Sequence, residues 1–334
     1  MILVTGATGF LGSQITRTLV RKGKTVRALK RPDSNLSLLG DLASKVEWVD
    51  CDILDVIGLE EAFKDVTQVY HAAAQVSFKK ADKNKILKIN SEGTANLVNA
   101  ALEEGVDSFL HVSSVAAIGR KHGDRAIDEN ADWEANGSTT DYALSKYLGE
   151  REVWRGQAEG LPIIIINPST IIGGGFWNRG TARFFPRAAQ GIKYYTDGAT
   201  GFVDVRDVAD CAIKLVEEKA FGERFIIAGE NSSYRNLFDQ ICTALDCPKP
   251  TNHAGINKLK IASKAEFIKS FFTKQSVDLT TQTIKILSLS CAYDSSKIKQ
   301  RLKFEFRPLS KTIQETAYLY KSTIAENSPF GILD

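Results

Sequence analysis

A short apolar strand that runs into a glycine-spaced turn and then into an amphipathic helix constrains this chain more than any other feature. Residues 2–5 read Ile-Leu-Val-Thr; Gly6-Ala7-Thr8-Gly9-Phe10-Leu11-Gly12 follows, and a helical stretch continues to Lys22-Gly23. Glycines serve where a turn takes positive φ, where backbone must approach a ligand, and where a helix packs tightly on a strand. The helix N-terminus then presents N–H groups and a partial positive charge, which suits phosphate. A glycine pattern alone says little. Between an apolar strand and an amphipathic helix it points to the pyrophosphate of a dinucleotide, with Gly6, Thr8, Gly9 and Gly12 in the cradle.

The alternation continues downstream. Apolar strand candidates at 25–29, 46–49, 68–73, 108–113 and 161–166 are separated by helical stretches, among them 57–63 and 83–104. Strands joined through helices of that length make a parallel sheet, and their unbroken apolar runs mean that helices cover both faces. The predicted fold is α/β, a Rossmann doubly wound parallel sheet with a smaller mixed α/β C-terminal substrate domain. Residues 1–174 form the nucleotide-binding domain. A strand over 201–205 and a helix over 208–216 return to its sheet, so 204–216 is counted with it, and 175–203 and 217–334 form the substrate-binding domain. Aromatic and basic residues cluster at the start of the latter (Phe176, Trp177, Arg183, Phe184, Phe185, Arg187, Tyr194, Tyr195). A basic segment from Asn257 to Lys274 reads as a solvated helix over a pocket, with a membrane-surface helix as the alternative.

Composition excludes several classes. Over 334 residues, 43% are hydrophobic and 25% charged, with a net charge of +3, so the chain is neither disordered nor committed to nucleic acid. Five scattered cysteines, without a C-x-x-C pair, fit reduced thiols in the cytosol and no metal site. No charged leader precedes the first strand and no run of about 18 apolar residues occurs, so a cytoplasmic protein without a membrane span is expected.

Two stretches select the chemistry. A site for NAD usually ends its second strand on Asp or Glu, which accepts from the ribose 2′-hydroxyl. Here Val26-Arg27-Ala28-Leu29-Lys30-Arg31 puts Lys30 in that place. Lys30 and Arg31 suit a 2′-phosphate, so NADP is expected over NAD, with NAD as the alternative. Further on, Tyr142-Ala143-Leu144-Ser145-Lys146 sets a phenol and an ammonium on one helical face. A free tyrosine titrates near 10. A cation about 4 Å away is worth roughly 1–4 kcal/mol, or about one to three pH units. Tyr142 is therefore expected to exchange a proton with a carbonyl or alcohol oxygen near neutral pH, with Lys146 also bonding the nicotinamide ribose.

Together, T-G-A-T-G-F-L-G, Y-A-L-S-K and H-V-S-S-V-A-A-I-G resemble the extended short-chain dehydrogenase/reductases, the NAD-dependent epimerase/dehydratase family, over nearly the whole chain. The resemblance implies phosphate contacts from the Phe10 and Leu11 backbone, adenine recognition by Asp52 and Ile53, and a ribose lying against Ala72-Ala73-Ala74. It implies that Pro168-Ser169-Thr170-Ile171 wraps the nicotinamide amide, and that Ser114, with Ser113 as the fallback, holds the substrate oxygen near Tyr142. Asn90 matches a family asparagine, structural or part of a proton relay. The family often writes Arg-Pro where this chain has Asn167-Pro168, so an ion pair should be missing there. A homodimer through the helices carrying Asn90 and Tyr142 is a further implication.

Within the family, dehydratases and decarboxylases place acids directly after the catalytic serine or threonine, whereas Val115 and Ala116 stand there in this chain. The stretch Asp197–Val208 lacks the arginine that clamps a sugar-nucleotide diphosphate, although Arg183 or Arg187 would be placed to substitute. V-D-V-R-D-V-A and V-R-A-L-K-R look most like dihydroflavonol-4-reductase-like reductases. The resemblance thus implies an NADPH-dependent reductase of a small-molecule ketone or aldehyde. A nucleotide-sugar epimerase with retained cofactor, and a non-catalytic NADP-binding regulator, are the alternatives.

Overall fold

The computed structural model describes residues 1–119, 126–135, 139–261 and 280–334. β1 (Ile2–Thr5), α1 (Phe10–Arg21), β2 (Val26–Lys30), β3 (Glu47–Asp50), α2 (Val56–Phe63) and β4 (Gln68–His71) open the chain. A long helical run follows as α3 (Lys83–Leu87), a π-turn over Lys88–Glu92, and α4 (Gly93–Glu104). Then come β5 (Ser108–Val112), α5 (Asp141–Ala158), β6 (Ile163–Pro168) and β7 (Thr170–Ile172). α6 (Phe184–Ala189), β8 (Tyr194–Tyr195), β9 (Ala199–Asp204), α7 (Val205–Glu217), β10 (Glu223–Ile227), β11 (Glu230–Ser233), α8 (Tyr234–Leu245) and β12 (Asn252–His253) continue the chain. Three helices over Thr281–Ser288, Ser296–Leu302 and Leu309–Ala325 are the last described elements.

Seven strands form one sheet in the order β10-β6-β5-β4-β1-β2-β3, and every pairing in it is parallel. This is the doubly wound Rossmann arrangement that the alternating pattern predicts. Apolar packing fills both faces. Leu11, Ile15 and Leu19 of α1 meet Val208, Ala212 and Leu215 of α7 on one side. Leu59 and Phe63 of α2, Leu97 and Ala101 of α4, and Val153 of α5 pack on the other. Strand residues Ile163 to Ile166 are fully buried between the two layers, which is why that run carries no polar alternation.

One strand goes elsewhere. Residues 201–205 were expected to rejoin the main sheet, but β9 pairs with β7 and β11 in a separate three-stranded sheet. The seventh main-sheet strand is instead β10, from a stretch that the sequence placed with the substrate-binding part. A polar start, Glu223-Arg224, conceals it: an edge strand pairs on one side only and tolerates charge.

A second core gathers Trp177, Phe185, Phe202, Leu237, Ile241, Ile313 and Tyr320. Of the aromatic cluster after residue 175, Trp177 and Phe185 are core residues, whereas Tyr194 is exposed. The V-D-V-R-D-V-A string fastens this core to the main sheet. Asp204 caps α7 through the Arg206 N–H, receives the Arg206 guanidinium at 2.6 Å and accepts from Thr312 at 2.8 Å; Asp207 accepts from the Arg307 N–H at 2.7 Å. The basic segment 257–274 lies largely outside the described residues. No helix of the described residues is long and apolar enough to cross a membrane.

Candidate active site

Every predicted site residue sits at or beyond the carboxyl end of a main-sheet strand, where β1 and β4 mark the reversal of strand order. In the glycine turn, Gly6 takes φ +71°, and a Cβ there would stand 2.6 Å from the Ala73 nitrogen. A Cβ on Gly12 would stand 2.1 Å from the Gly6 carbonyl oxygen. No side chain caps α1 at Gly9, and no acid stands in its first turn. The turn thus offers bare backbone and a positive helix end, with Thr8 and Phe10 half-buried and Leu11 buried beside it. Ala72 and Ala73 lie directly against Gly6, and Ala74 is exposed beyond them. Asp52 is exposed after β3, and buried Ile53 packs against Gly93. These features fit a dinucleotide laid across the sheet edge.

At the end of β2 the two cations differ. Lys30 is ion-paired with Asp50, its cross-strand neighbour on β3. Arg31 is exposed, and its backbone N–H is bonded by Ser34 Oγ at 3.0 Å.

Ser114, Tyr142, Ser169 and Thr170 line one cavity of about 960 Å³. The Ser114 hydroxyl stands beside the Tyr142 phenol, whose ring meets Phe78 edge-on at 5.7 Å. Thr140 caps α5 through the Ala143 N–H at 3.0 Å, which fixes the first turn that carries the phenol. Ser113 points the other way, donating to buried Glu150 at 2.7 Å, so Ser114 and not the fallback faces the cavity. The Ser169 hydroxyl is buried with no partner among the described residues, a polar atom suited to an amide. Phe184 and Arg187 come to this wall from α6, and Trp133 stands in it, stacked on Tyr147 at 3.9 Å.

Lys146 is fully buried and donates to the Val112 carbonyl at 2.8 Å. Burial pushes its ammonium down to about 8, opposed by the Glu150 carboxylate. Tyr142 moves opposite to expectation. Burial raises the phenol, and the Ser114 hydroxyl draws it back in part. Counting only the field of a neighbouring cation leaves out desolvation, which is the larger effect in this wall. A phenol that stays protonated at neutral pH has a proton to give.

Asn90 is hydrogen-bonded at both ends of its amide. Its Oδ1 accepts from the Gln75 N–H at 2.8 Å, and its amide donates to the Gln75 carbonyl and to Ser145 Oγ, each at 2.9 Å. The arginine missing at 167 is replaced from another strand: Arg224 of β10 pairs with Glu150 at 3.2 Å, and Asn167 donates to the same carboxylate at 2.9 Å. Glu150 and Arg224 were not read from the sequence. Glu150 stands one helical turn after Lys146, a spacing that was there to find, whereas Arg224 depends on tertiary structure.

Thr5, His71 and His111 stand side by side across β1, β4 and β5. Ala73 N–H bonds Thr5 Oγ, leaving that hydroxyl to donate to His71 Nδ1 at 2.8 Å; His71 Nε2 then donates to Thr94 Oγ at 3.0 Å. Burial and, secondarily, Lys146 hold both imidazoles neutral, His71 pushed down to about 3 and His111 well below its usual value. Unfolded, each takes up a proton below about 6.5, so acid favours the unfolded chain by up to about 1.4 kcal/mol per pH unit for each ring. Urea-unfolding free energies should therefore fall between pH 7.5 and 5.5. His111→Leu, which removes a ring with no hydrogen-bond partner among the described residues, should flatten that slope; an unchanged slope would contradict this account.

Fold and site together define a Rossmann dinucleotide protein with a Ser-Tyr-Lys group. The sequence profile of the NAD dependent epimerase/dehydratase family matches residues 2–228, and the chain belongs to this family of oxidoreductase-type, nicotinamide-nucleotide enzymes, the extended short-chain dehydrogenase/reductases. It is similar to sterol demethylase protein B of Methylococcus capsulatus, with 29% identity over 90% of this chain and 92% of that one. A putative dihydroflavonol 4-reductase of Synechocystis is 28% identical, over 96% of this chain and 94% of that one. Among solved structures, gox2253 aligns with a TM-score of 0.82 and 29% identity, covering 96% of this chain and 98% of that chain.

Proposed function

We propose that this protein is an NADPH-dependent reductase of a ketone or aldehyde, of the dihydroflavonol-4-reductase-like kind. The observation that carries the reading is that Tyr142 and Ser114 stand together in the wall of the large cavity, on the same sheet edge as the glycine turn. Ser114 and Tyr142 hold the substrate oxygen, Tyr142 protonates it, and Lys146 keeps a positive charge behind the pair. The nicotinamide nucleotide supplies the hydride. Gly6, Thr8, Gly9, Phe10, Leu11 and Gly12 hold its pyrophosphate, Asp52, Ile53 and Ala72–Ala74 its adenosine half, and Pro168–Ile171 its amide.

The absence of acids at Val115 and Ala116 disfavours water elimination. The apolar side chains on the cavity wall favour a ring-containing, apolar carbonyl compound, in keeping with relatives named for sterols and dihydroflavonols. Arg183 and Arg187 on the same wall favour a second reading, an epimerase whose substrate diphosphate they meet. A panel of ketones, aldehydes and sugar nucleotides followed by NADPH absorbance separates the two. Consumption of NADPH with carbonyls supports reduction. Isomerised sugar nucleotide with retained cofactor supports the epimerase, and cofactor binding with neither makes the protein a regulator.

Exposed Arg31 is assigned the 2′-phosphate, with Lys30 shared between it and Asp50. A charge-assisted bond of about 1.5–3 kcal/mol corresponds to about ten- to a hundredfold. Arg31→Ala should weaken NADPH by that factor and leave NADH nearly unchanged, with a smaller effect for Lys30→Ala, read as dissociation constants. Equal losses for both cofactors would remove the NADP assignment.

A further inference from the structure

Glu150 is a buried charge outside the reacting group that receives four hydrogen bonds. Its side chain is 3% exposed, yet it receives Ser113 Oγ at 2.7 Å and the Asn167 amide at 2.9 Å on one oxygen. The other oxygen takes Trp154 Nε1 at 3.4 Å and the Arg224 guanidinium at 3.2 Å. Asn167 uses its second N–H on the Ser114 carbonyl at 3.0 Å. One carboxylate therefore ties together the ends of β5 and β6, the segments that deliver Ser114 and Ser169, and β10 beside them.

It also stands one helical turn from Lys146, on the same side of α5. The groups facing Lys146 are His71 on β4 and His111 on β5, both neutral, and Tyr142 and Glu150 on its own helix. Glu150 is thus the anion that stabilises the buried ammonium. On its far side it faces Arg224, whose guanidinium is also held by the Glu129 carbonyl.

We propose that Glu150 is a positioning residue of the catalytic apparatus: its carboxylate, braced by Arg224 and Asn167, fixes the Ser114 segment and keeps Lys146 in its ammonium form. The inference rests on the reductase reading for its catalytic consequence, but not for its electrostatic content. Burial alone drives a lysine toward the neutral amine, and a neutral amine holds no charge behind Tyr142. Among the described residues, Glu150 is the titratable group that opposes that drift.

The test follows the Lys146 Nζ resonance in lysine-labelled protein without cofactor, assigned by its loss in Lys146→Met. Glu150→Gln should lower the titration midpoint from about 8 by about one pH unit, whereas Glu150→Asp should hold it near the wild-type value. The pair Glu150→Asp and Glu150→Asn repeats the comparison at shorter length, should glutamine crowd the Asn167 amide. The alkaline limb of kcat/KM for carbonyl reduction should move with the midpoint, while Glu150→Asp loses rate without moving it. An unmoved midpoint in Glu150→Gln, or equal displacement by the charged and neutral variants, overturns the inference. Full turnover in Tyr142→Phe together with a displaced midpoint would instead overturn the reductase reading and leave this one standing.

Discussion

Tyr142→Phe is expected to lower kcat at least a hundredfold while leaving the NADPH dissociation constant within about threefold of wild type. The substitution keeps the ring and its edge contact with Phe78, so the cavity wall is preserved. It removes the hydroxyl that stands beside Ser114. Positioned proton donors contribute about 10²–10⁴-fold, and burial has already selected the protonated form of this phenol. Ser114→Ala should act on the same step more weakly, since it removes one donor to the substrate oxygen and leaves the proton source in place. Steady-state rates on any accepted carbonyl, with cofactor affinity from fluorescence, distinguish these outcomes. A Tyr142→Phe enzyme that turns over normally removes the phenol from the mechanism.

The second large effect lies in the glycine turn. A Cβ at position 12 meets the Gly6 carbonyl oxygen at 2.1 Å and its carbon at 2.6 Å, both backbone atoms that no side-chain rotation can move aside. Gly12→Ala must therefore open the turn or push α1 off the sheet. We expect a loss of about 3 kcal/mol or more in unfolding free energy, and at least a hundredfold weaker dinucleotide binding. Gly9→Ala is the control. Its Cβ would stand 3.2 Å from the Gly6 oxygen, relieved by a shift of a few tenths of an ångström, and its backbone is already extended, so its loss of melting temperature without cofactor should be far smaller than that of Gly12→Ala. Should Gly12→Ala melt with the wild type and retain its cofactor, the close packing of helix on turn is not what holds the cradle.

The first half of the chain was legible because its information is local. Strand and helix periods, and a turn that only glycine satisfies, are written within a few residues of one another. What lay hidden depends on partners far along the chain. Nothing in Ala199–Asp204 says which sheet it will join, because an apolar strand pattern does not name its neighbour. The ion pair thought lost at Asn167 is supplied by Arg224, which becomes its neighbour only when β10 aligns with β6. Lys30 suits a phosphate by its place in the sequence, but the register that sets it opposite Asp50 is a property of the sheet. The phenol was misjudged for a related reason. Charge spacing can be counted from sequence, whereas the loss of water around a side chain cannot.

The helical run between β4 and β5 is interrupted by the π-turn at Lys88–Glu92. Such a turn behaves as one surplus residue lodged in an otherwise regular spiral, and each residue in that spiral advances the azimuth by about 100°. Excising a single residue there would let the coil heal, at the cost of swinging Asn90 out of reach of Gln75 and Ser145. It would also turn the contact at Gly149, where a Cβ would stand 2.3 Å from the Asn90 carbonyl oxygen, into a mismatch. A local imperfection in hydrogen bonding is therefore the gauge that sets the spacing between the loop after β4 and the helix that carries Tyr142.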